Sequence, residues 1–208
     1  MKVGVIGGGQ LGRMLALAGT PLGMEFYFLD PAPDACAAAL GVHLQGDYDS
    51  PEHLQQLAQT VDLVTFEFEN VPAETVAYLS RFVPVFPAAE ALSIARDRLN
   101  EKTLFQQLGI PVTAFANILS QEDLEQAVLE MGLPAILKTR TLGYDGKGQK
   151  VLRHLSDVQG AFAELGSVPC LLEGFVSFSS EVSVIAVRSR EGEVRCYPLA
   201  QNTHNSGI

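Results

Sequence analysis

Cysteine is scarce and badly placed for cross-linking. Cys36, Cys170 and Cys196 are odd in number and far apart, with no CxxC pair and no histidine at metal-ligand spacing. That pattern gives neither a disulfide framework nor a thiolate metal motif, and it suits reduced thiols in a reducing compartment. No apolar run approaches the ~20 residues of a membrane span. The opening MKVGVIGGGQLG is too short in its apolar part for a signal peptide and has no small-residue cleavage site, so a cytoplasmic chain is expected. Internal repeats and low-complexity segments are absent. Cations are missing from one long stretch: between Arg13 and Arg81 there is no Lys or Arg, while ten acidic residues fall there. With a net charge of −10, the chain lacks the basic footprint that a nucleic-acid backbone requires.

What is present is ordinary globular material. The 208 residues are 47% hydrophobic and 18% charged, enough to bury a core in one large domain or two small ones. The cations gather at Arg96, Arg98 and Lys102, and again at Lys138, Arg140, Lys147, Lys150 and Arg153. Local basic clusters on an acidic protein suit a small anionic ligand, although solvated surface charge explains most such residues equally well.

Periodicity predicts an alternation of strands and helices over the first 90 residues. Strands are expected at 2–6, 24–29, 42–44, 61–68 and 83–86. Between them fall a helix marked by Leu11, Met14, Leu15, Ala18 and Leu22, an Ala-rich helix near 33–40, one opened by Ser50-Pro51, and one opened by Pro72. This is the pattern of a doubly wound parallel sheet. The second half mixes helices at 97–108, 120–131 and 156–165 with strands at 113–119, 135–139, 150–153 and 170–173. A hairpin of 181–188 with 194–199 follows, so this half reads as α+β. The last residues, Asn202 to Ile208, bring no closing helix, and the chain reads as cut in mid-domain.

Four constellations carry chemistry. Gly7-Gly8-Gly9-Gln10-Leu11-Gly12 matches GxGxxG between a strand and a helix, with Asp30 18 residues further on. Such a loop lets a phosphate approach the helix N-terminus, and the acid suits a ribose, so NAD binding is one reading. A glycine turn needed only for packing is the other. Glu67 and Glu69 flank Phe68 at a strand end, where alternation puts both carboxylates on one face. They either meet a ligand in the sheet's crevice or decorate a polar edge. Lys138 ends a strand just before GYDGKGQ, residues 143–149, an arrangement that holds phosphates under a glycine-rich lid. Replacing Lys138 is therefore expected to weaken nucleotide binding more than folding. Glu173-Gly174-Phe175-Val176 and Glu181 could take a planar base and a ribose, or be a surface turn and a strand start.

Taken in order, Arg98, Lys138, GYDGKGQ, EGFV and Glu181 resemble the nucleotide-binding half of the ATP-grasp superfamily. GGGQLGRM, EFENV and the Asn202-Thr203-His204 segment narrow the resemblance to the 5-(carboxyamino)imidazole ribonucleotide synthase family. The resemblance implies a Rossmann-like pre-ATP-grasp domain over 1–92 and an incomplete α+β ATP-grasp domain over 93–208. It implies that Arg98 and Lys138 hold ATP phosphates beneath Gly143, Tyr144, Asp145, Gly146, Lys147, Gly148 and Gln149. Glu173, Gly174, Phe175 and Val176 would bind adenine, largely through backbone, Glu181 would bind the ribose, and His204 would lie near the nucleotide. Gln10, Leu11 and Glu67 would line an aminoimidazole ribonucleotide site that Tyr144 and Lys147 reach as catalytic groups. The implied reaction consumes ATP and bicarbonate through carboxyphosphate, in a homodimer without nucleic acid or membrane partners. Its Mg²⁺ ligands are expected beyond Ile208, which would leave this length of chain inactive alone, with Val182, Val184, Ile185 and Val187 exposed. Another ATP-grasp ligase, acting on glycinamide ribonucleotide or a carboxylic acid, and an NAD(P)-dependent oxidoreductase are the alternatives.

Overall fold

A computed structural model describes residues 1–143 and 147–203. The chain divides into two compact units, 1–108 and 109–208.

The first unit is built on β1 (Lys2–Ile6), β2 (Glu25–Asp30), β3 (Val42–Gln45) and β4 (Leu63–Phe66). They form a parallel sheet in the order β3-β2-β1-β4. Strand alternation splits its apolar side chains into two cores. Val3, Val5, Phe26 and Phe28 pack with Ala16 of α1 (Gln10–Gly19). Ile6, Leu29 and Val64 pack on the other face with Leu57 of α2 (Pro51–Thr60) and Val76 and Leu79 of α3 (Ala73–Leu79). Helices thus cover both faces, as a parallel sheet requires. Helices α4 (Ala89–Ala95) and α5 (Arg98–Gln107) complete the unit.

Two sequence expectations change here, and the apolar residues that mark α1 are not its buried ones. The large apolar residues of α1 do not face the core. Leu11, Met14 and Leu15 are 57%, 60% and 42% exposed, and the buried positions are Gly12, Ala16 and Gly19. The helix lies too close to the sheet for large side chains: a Cβ on Gly19 would stand 2.5 Å from the Phe26 ring. Residues 33–40 yield only a single 3₁₀ turn at Ala38–Leu40. Their backbone is committed elsewhere, with Ala37 N–H donating to the Gly8 carbonyl. The strand expected at 83–86 is reduced to one parallel bridge, Val64 to Val85. Pro84 and Pro87 flank it, and neither has an N–H to extend a ladder.

The second unit is an antiparallel sheet in the order β5-β8-β6-β7, made of β5 (Phe115–Ile118), β6 (Ala135–Thr139), β7 (Gln149–Leu152) and β8 (Cys170–Gly174). One face carries Ala135, Leu137, Leu152, Cys170 and Leu172. It is covered by α6 (Gln121–Met131), α7 (Leu155–Val158) and α8 (Ala161–Glu164). Ser120 caps α6 by accepting from Asp123 N–H, and Asp123 returns a bond to Leu119 N–H. The helix expected at 156–165 is split into α7 and α8 by Gly160, whose φ of 73° is left-handed.

The hairpin forms as two paired segments. β10 (Ala186–Arg188) pairs with β11 (Val194–Cys196), and β9 (Glu181–Ser183) pairs with β12 (Ala200–Asn202). The register slips by one residue between them, around Pro198, which cannot donate to the ladder. Val182, Val184, Ile185 and Val187 are exposed, as the sequence led us to expect.

The packing of α1 predicts an inverted response to substitution. Ala16→Leu overfills a fully buried position and should cost about 1–3 kcal/mol in chemical denaturation. Leu15→Gln, on the exposed face, should stay within about 0.5 kcal/mol.

Candidate functional site

In the first unit the glycine-rich loop is closed by two acids. Gly8 N–H donates to Asp30 Oδ2 at 2.7 Å, and Asp30 also accepts from Ala32 N–H at 2.8 Å and Tyr48 Oη–H at 2.9 Å. Asp30 is buried, at the end of β2. Burial, with the Asp30 hydrogen bond adding to it, raises the Tyr48 phenol well above the ordinary tyrosine range. Glu67 does more. Its Oε1 accepts from Gly9 N–H at 2.7 Å and its Oε2 from Gly12 N–H at 2.5 Å. Gly9 is the N-cap residue of α1 and has no side chain to cap with. One carboxylate from the end of β4 therefore satisfies both N–H groups that a capping box would satisfy, and it sits at the positive end of the helix dipole. The glycines make room for it: a Cβ on Gly7 or Gly9 would lie 2.6 Å from Glu67 atoms. The N–H groups expected to face a dinucleotide are thus bonded within the protein.

Glu67 and Glu69 do not alternate along a strand, because β4 ends at Phe66. Both nonetheless border a cleft of ≈ 330 Å³ with Phe66, Phe68, Pro87 and Ala91. Glu67 turns inward to the loop while Glu69 is exposed. Gln10 and Leu11 are exposed on the first turn of α1, beside the capped N–H groups. Arg98 is the first residue of α5, where the helix dipole disfavours a cation. Asp97 caps that helix through Leu99 N–H at 2.9 Å.

In the second unit, register decides which side chains meet. Ile136 lies opposite Glu173 and Lys138 opposite Gln149, so Lys138, Gln149 and Glu173 share the sheet face turned away from the helices. Lys138 Nζ and Glu173 Oε2 pair at 2.9 Å, with side chains 19% and 7% exposed. Lys138 is therefore also a structural partner of a buried acid. Arg140 continues the same face and donates to Asn117 Oδ1 at 3.2 Å. The Arg153 guanidinium lies 5.4 Å from the Phe175 ring centre. The sequence reading placed Arg153 only in a cluster of cations. Continuing the alternation of β7 from Gln149 through Val151 could have put it on this face.

The glycine-rich segment is tied to β6 at Gly148. Thr139 N–H donates to the Gly148 carbonyl at 2.8 Å, and Gly148 has φ of 69°. Gly143 is half-buried and Lys147 exposed. Tyr144, Asp145, Gly146 and His204 lie outside the described residues. Beyond β8, Gly174 N–H bonds Ala114, Phe175 N–H bonds Pro134, and the Gly174 carbonyl accepts from Thr113 Oγ1. Much of the backbone expected to meet a base is thus already engaged, and Val176 is the exposed end of the segment. Glu181 Oε1 accepts from Asn202 Nδ2 at 3.1 Å across the β9–β12 pair. Among the described residues no three His, Cys, Asp or Glu side chains converge as a metal site.

Comparison with known proteins places this geometry. Residues 1–96 match the ribonucleotide synthetase preATP-grasp domain and residues 103–208 the ATP-grasp domain. An N5-carboxyaminoimidazole ribonucleotide synthase of Pseudomonas aeruginosa is 73% identical over 208 residues, which is 100% of this chain and 58% of that protein. An N5-carboxyaminoimidazole ribonucleotide synthetase solved as an ADP complex is 39% identical, with a TM-score of 0.95 over 100% of this chain and 55% of its own. The Aspergillus clavatus synthase, solved with ADP and 5-aminoimidazole ribonucleotide, is 28% identical. Its TM-score is 0.90, over 100% of this chain and 55% of its own. The chain thus spans a little over half the length of the relatives it matches. Residues 1–208 belong to the ATP-grasp family, carrying a ribonucleotide synthetase preATP-grasp domain ahead of the ATP-grasp domain, as in the N5-carboxyaminoimidazole ribonucleotide synthases they resemble.

Proposed function

We propose that this chain is the ATP-binding part of an enzyme that carboxylates 5-aminoimidazole ribonucleotide in purine biosynthesis. The observation that supports it most is the polar sheet face of the second unit. There Lys138, Gln149 and Glu173 gather beside the glycine-rich segment, in a chain 73% identical to such a synthase. In this reading ATP phosphorylates bicarbonate to carboxyphosphate, releasing ADP. The ribonucleotide amine then attacks the carboxyl carbon and phosphate leaves. Lys138, Arg98 and the segment 143–149 hold the phosphates. Glu173 to Val176 hold the base, Glu181 the ribose, and His204 lies by the nucleotide. Gln10, Leu11 and Glu67 line the ribonucleotide site, and Tyr144 and Lys147 act there. Carboxyphosphate is short-lived in water, so a glycine-rich segment able to cover it has a clear use.

We assign the ligands of the Mg²⁺ that accompanies ATP to the part of the relatives that this chain does not span, and propose that turnover needs that part. The boundary between the two functional halves is set at 92/93. A cytoplasmic homodimer completes the reading. The exposed apolar face of α1, with Leu11, Met14 and Leu15, supports self-association.

Two measurements check this. ATP should raise the thermal midpoint of the chain and NAD should not, since a ligand stabilises only a fold that it binds. Stabilisation by NAD without any by ATP would contradict the reading. Lys138→Met should abolish most of the ATP effect and also cost about 1–3 kcal/mol, as it removes a charged hydrogen bond. Adding Glu173→Gln should recover part of the stability without the affinity. Recovery of ATP affinity in the double variant would show that Lys138 serves the fold alone.

A further inference from the structure

We propose that Arg153 is a positioning residue for the nucleotide base: placed on the Phe175 ring, it fixes the side of the base site that the ring forms. The inference rests on the reading above, which puts the base at Glu173–Val176, and it gives a role to a residue that the reading leaves without one.

Register lays out the uncovered sheet face of the second unit in rows. Lys138 and Gln149 face each other in one row, and Glu173, Ile136 and Val151 line up in the next. One more step of the same alternation reaches Phe175 beyond β8 and Arg153 beyond β7, with Pro134 between them ahead of β6. Arg153 is four residues past Gln149, about 13 Å at the rise of a strand. It therefore stands at the far end of the face from Lys138, with the apolar side chains of Ile136 and Val151 in between. A charged end, an apolar middle and an aromatic far end match the order of phosphate and base in a nucleotide laid along the face.

Strands β7 and β8 are not neighbours. β6 separates them, so their chains run about 9–10 Å apart. Only long side chains close that gap, and the Arg153 guanidinium reaches to 5.4 Å from the Phe175 ring centre. Both partners have tethered backbones. The N–H groups of Arg153 and His154 donate to Asp157 Oδ2, at 2.9 and 2.8 Å, and Phe175 N–H donates to the Pro134 carbonyl at 3.2 Å. Phe175 is half-buried and Arg153 exposed. A guanidinium is flat, keeps its charge at every working pH and stacks on an aromatic face. A ring engaged by that plane on one side keeps one orientation and leaves its other side to a planar ligand.

The test compares ATP with inorganic tripolyphosphate, which carries the charge without the base, in calorimetric titrations of the chain. Arg153→Met keeps a long side chain and removes the guanidinium. It should weaken ATP by roughly two- to fivefold more than it weakens tripolyphosphate, the scale of an exposed cation–π contact. Phe175→Leu should lower the same ratio, and adding Arg153→Met to it should lower the ratio no further, since the arginine acts through the ring. Equal weakening of the two probes by Arg153→Met would make the arginine a general phosphate cation and overturn the proposal. Unchanged ATP affinity, or additive losses in the double variant, would overturn it too. Should a variant fail to fold, the Arg153 Nε–H NMR signal of the wild type decides. Saturating ATP should move that signal more than saturating tripolyphosphate, and equal movement contradicts the proposal. A wild-type chain that does not bind ATP fails the proposed function and takes this inference with it. Wild-type ATP binding with an unaltered ratio in Arg153→Met fails the inference alone.

Discussion

The bond from Glu67 to the start of α1 is the constraint on which the first unit turns. A helix that begins on three glycines has no capping side chain of its own, and its first N–H groups lie at the sheet's crevice. Closing them with a carboxylate from the end of β4 ties strand, loop and helix together across 55 residues of chain. It also dictates small residues throughout. Glycines at 7, 9 and 12 admit the carboxylate, and Gly12, Ala16 and Gly19 let the helix settle on Phe26 and Phe28. The leucines and Met14 of α1 are left outside as a consequence.

The second unit is organised by a different pairing. Antiparallel register puts Lys138 and Glu173 on one face, where the acid is buried and the lysine satisfies it. A buried carboxylate left without its cation would be strongly destabilising, so the pair holds the sheet face together beside the glycine-rich segment. The same face brings Arg140 and Arg153 into an electropositive neighbourhood that suits a polyphosphate.

Much of the architecture was legible in the sequence because it rests on local signals. The β-branched run 2–6, the Ser50-Pro51 start, and Ser120 with Asp123 each declare an element within a few residues. What was not legible depends on partners distant in sequence. Nothing around Gly9 announces that its N–H belongs to Glu67, so a dinucleotide fingerprint and an internally closed loop look alike. Apolar periodicity marks α1 but not its buried face, because it counts large side chains and overlooks the small ones that allow close approach. The shortening of the strand at 83–86 and the slip at Pro198 follow from prolines that were visible but not weighed against a ladder. In the candidate site, Lys138 could be read from its place at a strand end. Its partner Glu173, 35 residues away, needed the register.

The central proposal is that ATP is held on the polar sheet face of the second unit and not at the glycine-rich fingerprint of the first, whose N–H groups are bonded within the protein. Mapping ATP onto the chain by amide chemical-shift changes tests this most directly. The account predicts shifts at Lys138, Lys147, Gln149 and Glu173 to Val176, with Gly8, Gly9 and Gly12 unmoved. Shifts confined to Gly8–Gly12 and Asp30, with the second unit silent, would contradict it.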